Sequence, residues 1–317
     1  MRARLARRAA LTAAASALLV AGCTSGGSGG STADPPTVGP PTSSASATPP
    51  SAPRSSAAAL PQPDHVVVAI FENKDVDAVD GSRSAPFFNS LADKGAAFTD
   101  AHGETHPSQG NYLALFSGST QGVEDDSCPQ SFSGGNLATQ LLAAGKTFAG
   151  YSEGMPRAGF TGCESGDYAR KHNPWVNFPA VPASVNQPFS ALPKDYATLP
   201  TVSFVVPDLC NDMHDCSVGT GDSWARSNLG PYLDWATSHN SLLIVTFDED
   251  EGSSENHIAT MVAGAGVRAG TSSQRIDHYS LLRTIEDMYG LPPLGKAASA
   301  KPLTGIWTEP GAATPTP

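Results

Sequence analysis

The alternation of strand-like and helix-like segments between residues 63 and 308 is the feature that most limits the fold. Apolar, β-branched runs such as HVVVAIFEN (65–73) and SLLIVTFDEDEG (241–252) predict buried strands. Segments with helical spacing of apolar residues lie between such runs. The predicted strands are 65–73, 147–153, 201–208, 241–252 and 257–267, and the predicted helices are 85–95, 111–116, 136–146, 222–239 and 278–291. This order predicts an α/β fold with a mostly parallel sheet.

The first 62 residues have the composition of an export signal followed by a tether. A basic start, an apolar run over 9–22 and small residues before Cys23 predict a signal peptide over 1–22. LVAGC resembles the lipobox of bacterial lipoproteins, whose cysteine is lipidated; a signal peptide with a chance cysteine is the alternative. Residues 23–62 are rich in Ser, Thr, Ala, Gly and Pro and predict a flexible tether, and 309–317 predict a disordered tail. We expect an exported protein, either anchored by lipid on the outer face of the cell membrane or secreted.

The charge of the chain argues against a nucleic-acid partner. Formal net charge is −11, and four of the nineteen basic residues lie in the predicted signal. The remaining chain has 15 basic and 30 acidic residues, a net charge of −15. Binding to nucleic acid depends on Lys and Arg that neutralise phosphates. If the substrate is a phosphate ester, a local positive charge such as a bound metal must attract it.

Four cysteines remain after Cys23, and an even set in an exported protein predicts disulfides. Three pairings are possible, and proximity in sequence favours Cys128–Cys163 and Cys210–Cys216. A zinc site is a weaker alternative because the chain has no C-x-x-C pair.

Acidic residues stand at the carboxyl ends of the predicted strands. Glu72 and Asn73 end the first strand, Asp208 ends the strand at 201–208, and Asp248 and Glu249 follow the apolar part of the strand at 241–252. Ligands of α/β sheets bind at that edge. Oxygen-rich sites favour magnesium, calcium or manganese over zinc, and the short set of ligands favours one ion. A solvated acidic turn is the alternative for DEDEG.

Ser108 directly precedes a predicted helix in THPSQGNYLALFSGST. It either caps this helix or acts as a nucleophile, because the free N–H groups of a helix start favour an anion. Asn111 is placed to donate its amide to a phosphoryl oxygen, whereas the role of His106 stays open. Lys171, His172 and His214 lie in polar loops, the part of a fold that often carries function.

Six motifs, in this order, give the chain its resemblance to a known family: FEN, THPSQGNYLAL, YARKHNPW, VPDLCNDMHDCS, TFDEDEG and DHYSLLRTIEDMYGL. Over about residues 64–292 the chain resembles the phosphoesterase family of acid phosphatases and phospholipases C in the alkaline-phosphatase superfamily. It is most similar to the actinobacterial secreted acid phosphatases that act on phosphatidylinositol 3-phosphate. The resemblance implies a three-layer αβα sandwich and hydrolysis of a phosphate ester through a phosphoseryl intermediate.

The resemblance also implies roles for individual residues. Ser108 matches the nucleophile and a metal ligand, and Asn111 matches the phosphate-binding asparagine. His172 and His214 match histidines that contact the phosphate or protonate the leaving group. Independently of the resemblance, a phosphate dianion needs concentrated positive charge, which a metal, Lys171 and protonated histidines could provide. The remaining matches are the metal ligands Glu72, Asn73, Asp248 and Glu249, and the recurrent positions Asp215 and His278. The chain departs from the family pattern at His257, a doubtful equivalent of a family histidine, and at Gly110, where a proline is common.

Three other functions fit parts of the sequence. GYSEG (150–154) matches the G-x-S-x-G elbow of serine hydrolases, with Ser152 as nucleophile. A lipoprotein that binds a metal or a phosphorylated ligand without turnover would also explain the acidic strand ends. A phosphodiesterase of phospholipase C type would share the same site. If a protonated histidine is required, activity should favour mildly acidic pH.

Overall fold

The computed structural model describes residues 60–308 as an eight-stranded sheet between two layers of helices. The predicted signal peptide, Cys23, most of the tether and the tail at 309–317 lie outside the described residues. The strands are β1 His65–Phe71, β2 Ala96–Phe98, β3 Ala101–His102, β4 Phe148–Ser152, β5 Glu164–Ser165, β6 Tyr168–Ala169, β7 Asn186–Pro188, β8 Val202–Val206, β9 Ser241–Phe247, β10 Thr260–Gly264, β11 Gly270–Ser272 and β12 Ile276–Asp277. The helices are α1 Val76–Val79, α2 Pro86–Lys94, α3 Gln109–Ser117, α4 Leu137–Ala143, α5 Val218–Asn228, α6 Gly230–Ala236 and α7 His278–Tyr289.

The main sheet has β1 near its centre, and its strand order is β11–β2–β10–β9–β1–β8–β4–β7. β1 pairs in parallel with β8 and β9, so Val68 stands between Phe204 and Ile244. The only antiparallel pairs of this sheet among the described strands are those that β10 makes with β9 and β2. β1, β8 and β9 therefore end at one edge, as the sequence predicts.

The helices cover both faces of the sheet. Phe71 of β1 packs on one face against Phe88 of α2 and Trp224 of α5. Phe204 is in register with Val68, which points to the opposite face, and it packs against Phe116 of α3. The predicted αβα sandwich is confirmed.

Several boundaries differ from the prediction for local reasons. The helix predicted at 222–239 is two helices, because Pro231 lies in the first turn of α6 and lacks the N–H needed to continue α5. The strand predicted at 241–252 ends at Phe247, and its acidic residues form a turn. The short strands β2 and β11 were not predicted.

Both predicted disulfides are confirmed. Cys128 pairs with Cys163 at a Cα–Cα distance of 5.8 Å, and Cys210 pairs with Cys216 at 4.7 Å. Among residues 60–308, no helix has the length and apolar character needed to cross a bilayer.

Candidate active site

Four carboxylates meet at the carboxyl ends of β1, β8 and β9. Glu72 follows β1, and Asp248 and Glu249 follow β9. Asp212 lies in the loop after β8, and its carbonyl accepts a hydrogen bond from the Glu72 N–H at 2.8 Å. Asp248 Oδ1 accepts from the Asn73 N–H at 3.0 Å. Neighbouring strands of a parallel sheet thus bring residues some 175 positions apart into one cluster.

Ser108 directs its side chain into this cluster. Its Oγ lies 3.0 Å from Glu72 Oε2 and 3.1 Å from Glu249 Oε1, and the residue is 1% exposed. The hydroxyl makes no hydrogen bond to the first turn of α3, so the side chain does not cap the helix. Because one hydroxyl hydrogen cannot serve two acceptors at once, the three oxygens are crowded.

Asn111 holds the turn that leads to Ser108. Its Oδ1 accepts hydrogen bonds from the N–H groups of Glu104 and Thr105 at 2.7 and 3.0 Å. Its Nδ2 donates to the Thr105 carbonyl at 2.8 Å and to Glu249 Oε2 at 3.4 Å. The amide of Asn111 therefore fixes the backbone before the serine, and its longest contact faces the acidic cluster.

His172 lies buried between two of the carboxylates. Its Nε2 is 3.1 Å from Glu72 Oε1 and its Nδ1 is 3.3 Å from Asp212 Oδ2. Tyr112 stacks on the imidazole with ring centroids 5.0 Å apart, and its hydroxyl donates to Glu72 Oε1 at 2.5 Å. Glu72, His172 and Asp212 form a compact group that can hold a metal ion.

Asp212 and Tyr112 were missed in the sequence. The loop VPDLCNDMHDCS contains three aspartates, and nothing in their spacing tells which of them points inward. Tyr112 lies in a helix whose residues are all buried, where a tyrosine is expected to be part of the core. The signal that could have pointed to Tyr112 is that a buried tyrosine hydroxyl needs a hydrogen-bond partner.

Burial dominates the electrostatics of the cluster. It raises the pKa of Glu72 well above its ordinary value, and repulsion by Asp212 raises it further. It also raises the pKa of Asp248, where Glu72 and Glu249 add to the effect. The pKa of Asp212 rises to about 8 through burial, although the His214 N–H stabilises its anion. Gathering the four charges without a cation is therefore unfavourable.

The cluster fits a divalent cation. Asp248 Oδ2 is buried and has no hydrogen-bond partner among residues 60–308, and Asp212 Oδ2 makes no hydrogen bond there, although His172 Nδ1 lies 3.3 Å away. Buried polar atoms in proteins are normally satisfied, so two unsatisfied carboxylate oxygens in one cluster indicate a missing ligand. Burial, followed by the charges of Lys171 and His214, lowers the pKa of His172 well below its ordinary value. A neutral imidazole is the form that binds metals.

His106, whose role the sequence left open, supports Glu249. Its Nδ1 lies 2.7 Å from Glu249 Oε2, and its Nε2 lies 3.0 Å from the Ser253 carbonyl. Nε2 donates to the carbonyl, which can only accept, and the hydrogen bond between Nδ1 and Glu249 opposes the rise that burial causes in the pKa of this carboxyl group. The imidazole thereby fixes the orientation of Glu249.

Lys171 and His214 lie beside the cluster, at its outer side. Lys171 Nζ contacts Asp126 Oδ2 at 2.8 Å and approaches His214 Nε2 at 3.5 Å. His214 Nδ1 lies 2.7 Å from Asp215 Oδ1. Both basic groups are partly exposed and are therefore open to a substrate.

Three family-matched residues stand apart from this arrangement. His278 is buried, and its Nε2 contacts the carbonyl of Phe247 at 3.0 Å, so it supports the end of β9. His257 contacts the Thr99 carbonyl outside the cluster. Asn73 contributes its backbone N–H, and its side chain makes no hydrogen bond to the cluster among the described residues.

The serine-hydrolase alternative finds no support in the structure. Ser152 is buried at the end of β4, and its Oγ donates to Asn173 Oδ1 at 2.6 Å. Residues 153–163 form turns and loop rather than the helix that a nucleophile elbow requires.

Comparison with known proteins identifies the family. Residues 81–292 match the model of the phosphoesterase family. The chain is 52% identical over 258 residues to a phosphatidylinositol-3-phosphatase of Mycobacterium tuberculosis, covering 80% of this chain and 86% of that protein. It is 31% identical over 227 residues to an acid phosphatase of Aspergillus fumigatus, covering 65% of this chain and 51% of that protein.

The chain belongs to the phosphoesterase family. A protein of the alkaline phosphatase superfamily from Vibrio parahaemolyticus has a similar fold, with a TM-score of 0.52 at 13% identity over 79% of this chain and 75% of that one. The family and fold expected from the six motifs are thus confirmed, and a phosphoesterase activity is confirmed at the level of the family.

Proposed function

We propose that this protein is a metal-dependent phosphomonoesterase that forms a phosphoseryl intermediate on Ser108. The observation that carries the proposal is the position of the Ser108 hydroxyl, which lies at the start of a helix and within 3.1 Å of two carboxylates. A protein that only binds a metal does not need a hydroxyl in that place.

The residues divide the reaction into two steps. Ser108 Oγ attacks phosphorus as its proton passes to Glu72 or Glu249, and the bond from phosphorus to the alcohol oxygen breaks. His214, on the outer side of the site, supplies the proton that the departing alcohol takes. Water then attacks the phosphoserine, which releases phosphate and restores the hydroxyl.

Glu72, His172, Asp212, Asp248 and Glu249 would hold the cation. When bound, a divalent ion would lower the pKa of the serine hydroxyl and offset the charge of the phosphate. The oxygen-rich set is typical of magnesium, calcium or manganese. We expect one ion.

The phosphate would lie between the serine and the basic residues. With its amide held by the turn, Asn111 can donate the Nδ2 hydrogen that faces Glu249 at 3.4 Å to a phosphoryl oxygen instead. Lys171 and His214 supply positive charge on the other side. In a strongly acidic chain such local charge, together with the cation, is what attracts an anionic substrate.

The mycobacterial relative supports phosphatidylinositol 3-phosphate as the substrate. That protein is a phosphatidylinositol-3-phosphatase at 52% identity. We also propose that the chain is exported and lipidated at Cys23, which would leave the catalytic domain on a tether outside the cell membrane. Palmitate labelling of the full chain and of Cys23→Ala would test the anchor.

Parallel assays would test the reaction. Phosphate release from p-nitrophenyl phosphate and from bis(p-nitrophenyl) phosphate is measured with and without EDTA. We expect turnover of the monoester that EDTA abolishes and that manganese or magnesium restores. Ser108→Ala should lose turnover of the monoester, whereas the control Ser227→Ala, a change on the exposed side of α5, should keep this turnover. Substantial turnover by Ser108→Ala would contradict the mechanism, and a preference for the diester would favour the phospholipase C alternative.

A further inference from the structure

Asp126 places a carboxylate of the protein at the start of α3, beside the proposed nucleophile. Its Oδ1 accepts a hydrogen bond from the N–H of Gln109, the residue after Ser108, at 3.0 Å. Free N–H groups at the start of a helix favour an anion. Because Asp126 already binds one of these groups, the phosphate of a substrate needs positive charge from other parts of the site.

The same carboxylate holds the ammonium group that lies beside the acidic cluster. Asp126 Oδ2 accepts from Lys171 Nζ at 2.8 Å, and both side chains are partly buried. Lys171 directly precedes His172, whose imidazole lies among the carboxylates of the cluster. Asp126 therefore connects the start of α3, which carries the serine, to the segment that carries the lysine.

The two segments that form this ion pair are also joined by other bonds. Cys128, two residues after Asp126, forms a disulfide with Cys163 at a Cα–Cα distance of 5.8 Å. The Cys163 carbonyl in turn accepts from the N–H of Arg170, the residue before Lys171, at 2.9 Å. The backbone thus brings the aspartate and the lysine together, which reduces the conformational entropy that an ion pair loses when it forms.

The charge of Lys171 depends on Asp126 more than on the cluster. Burial lowers the pKa of Lys171, but the hydrogen bond and the charge of Asp126 outweigh this effect, with smaller contributions from Glu72 and Asp248, so that the pKa is raised. A lysine ammonium is a point charge on a flexible stem. Without Asp126, the attraction of the buried carboxylates would draw it toward them and away from an incoming phosphate.

We infer that Asp126 is a positioning residue, which holds the Lys171 ammonium where it binds a phosphoryl oxygen of the substrate. An ammonium group has three hydrogens, and one of them is donated to Asp126, so that others stay available to the phosphate. The inference rests on the proposed function, because it assigns a role within the same phosphomonoesterase site.

A positioning role and a plain effect of charge predict opposite results for phosphate binding. Burial raises the pKa of Glu249, and the charge of Asp126 adds to this rise, so the field of Asp126 reaches the site. An anion in that place repels a phosphate, and removal of its charge alone would tighten phosphate binding. If Asp126 acts by holding Lys171, its removal should weaken phosphate binding instead.

The test is a double-mutant cycle with the full-length protein in buffer that contains manganese. The variants are Asp126→Asn, Lys171→Met, the double variant and the control Asp125→Asn. An asparagine has one acceptor oxygen, so at position 126 it keeps at most one of the two hydrogen bonds and loses the charge that pairs with the lysine. The control makes the same change at the neighbouring exposed residue, whose Oδ1 accepts from the Ser127 N–H at 3.1 Å.

We expect Asp126→Asn and Lys171→Met each to lower kcat/KM for p-nitrophenyl phosphate about tenfold, because a hydrogen bond to a charged group is lost. The inhibition constant of inorganic phosphate should rise by a similar factor. The double variant should lie within about twofold of Lys171→Met, since Asp126 acts through the lysine. Asp125→Asn should match the wild type in both measurements.

Asp126→Glu serves as a second variant, because it keeps the carboxylate on a longer stem. It should lose less activity than Asp126→Asn, and its loss should disappear when Lys171 is replaced by methionine. Tighter binding of inorganic phosphate by Asp126→Asn, or losses that multiply in the double variant, would overturn the positioning role while the phosphatase stands. If the wild type releases no phosphate from the monoester, the proposed function fails and the positioning role fails with it.

Discussion

Replacing Asp212 by asparagine should have opposite effects on the metal-free protein and on metal binding. The side chain is buried beside Glu72 and His172, and burial raises its pKa from 3.8 to about 8. The folded protein therefore holds a proton on Asp212 between about pH 4 and 8, where the unfolded chain has released it. Stability of the metal-free protein falls as pH rises through this interval, since the folded state binds more protons.

The size of the effect follows from the pKa difference. One pKa unit corresponds to about 1.36 kcal/mol, so keeping Asp212 protonated at pH 7 costs the fold at most about 4 kcal/mol. Asp212→Asn removes this cost, since an amide does not ionise, and its Oδ1 can still accept from the His214 N–H, a bond of 2.8 Å in the wild type. For a domain of this size, 1 kcal/mol shifts Tm by about 2–4 °C.

Thermal unfolding after EDTA treatment measures the first effect. We expect Asp212→Asn to raise the Tm by several degrees at pH 8 and by much less at pH 5. Titration with manganese measures the second effect through the rise of Tm with metal concentration. The variant should need at least ten times more metal for the same rise, because one charged ligand is lost.

Asp234→Asn, an exposed change of the same kind on α6, should show neither effect. The reasoning is refuted if Asp212→Asn lowers the metal-free Tm equally at both pH values. It is refuted as well if the variant keeps the wild-type metal affinity, since Asp212 would then lie outside the ligand set.

Two other variants test buried groups. Tyr112→Phe removes the 2.5 Å hydrogen bond to Glu72 and should lower kcat/KM for p-nitrophenyl phosphate about tenfold or more. The control Tyr196→Phe loses no hydrogen bond and should keep the wild-type kcat/KM. Equal activities of the two variants would contradict a role for the contact between Tyr112 and Glu72. Burial raises the pKa of Glu286 from 4.5 to about 7, so its contribution to stability falls as pH rises over that interval. Glu286→Gln should therefore raise the free energy of unfolding by up to about 3 kcal/mol at pH 8 and little at pH 4.5, measured in urea; a constant difference would exclude this ionisation.

The sequence predicted those parts of the site that strand direction determines. Glu72, Asp248 and Glu249 directly follow parallel strands, so their meeting at one edge follows from topology. Ser108 could be placed because a helix start is recognisable by its pattern. The sequence around Ser108 could not tell whether the side chain caps the helix or points into the site, since the two carboxylates beside it follow distant strands.

Loop residues were not predictable in the same way. Asp212 lies beside Met213, whose φ of 82° is left-handed, in a loop closed by the Cys210–Cys216 disulfide. Such a backbone has no period from which side-chain direction can be read, so three aspartates looked equivalent. His278 illustrates the reverse case, because a family position at a helix start points instead to the carbonyl of Phe247.

The separation of charges within the site explains how an acidic protein can bind an anionic substrate. Lys171 pairs with Asp126, and burial together with its basic neighbours keeps the pKa of His172 well below its ordinary value. Lys171 lowers the pKa of Glu72 and of Asp212 only in part, and burial keeps the pKa values of the buried carboxylates raised. A bound divalent metal ion would relieve the repulsion among these carboxylates, and the same ion would supply the attraction for phosphate. Metal binding, stability above neutral pH and catalysis should therefore respond together to any change in the carboxylate set.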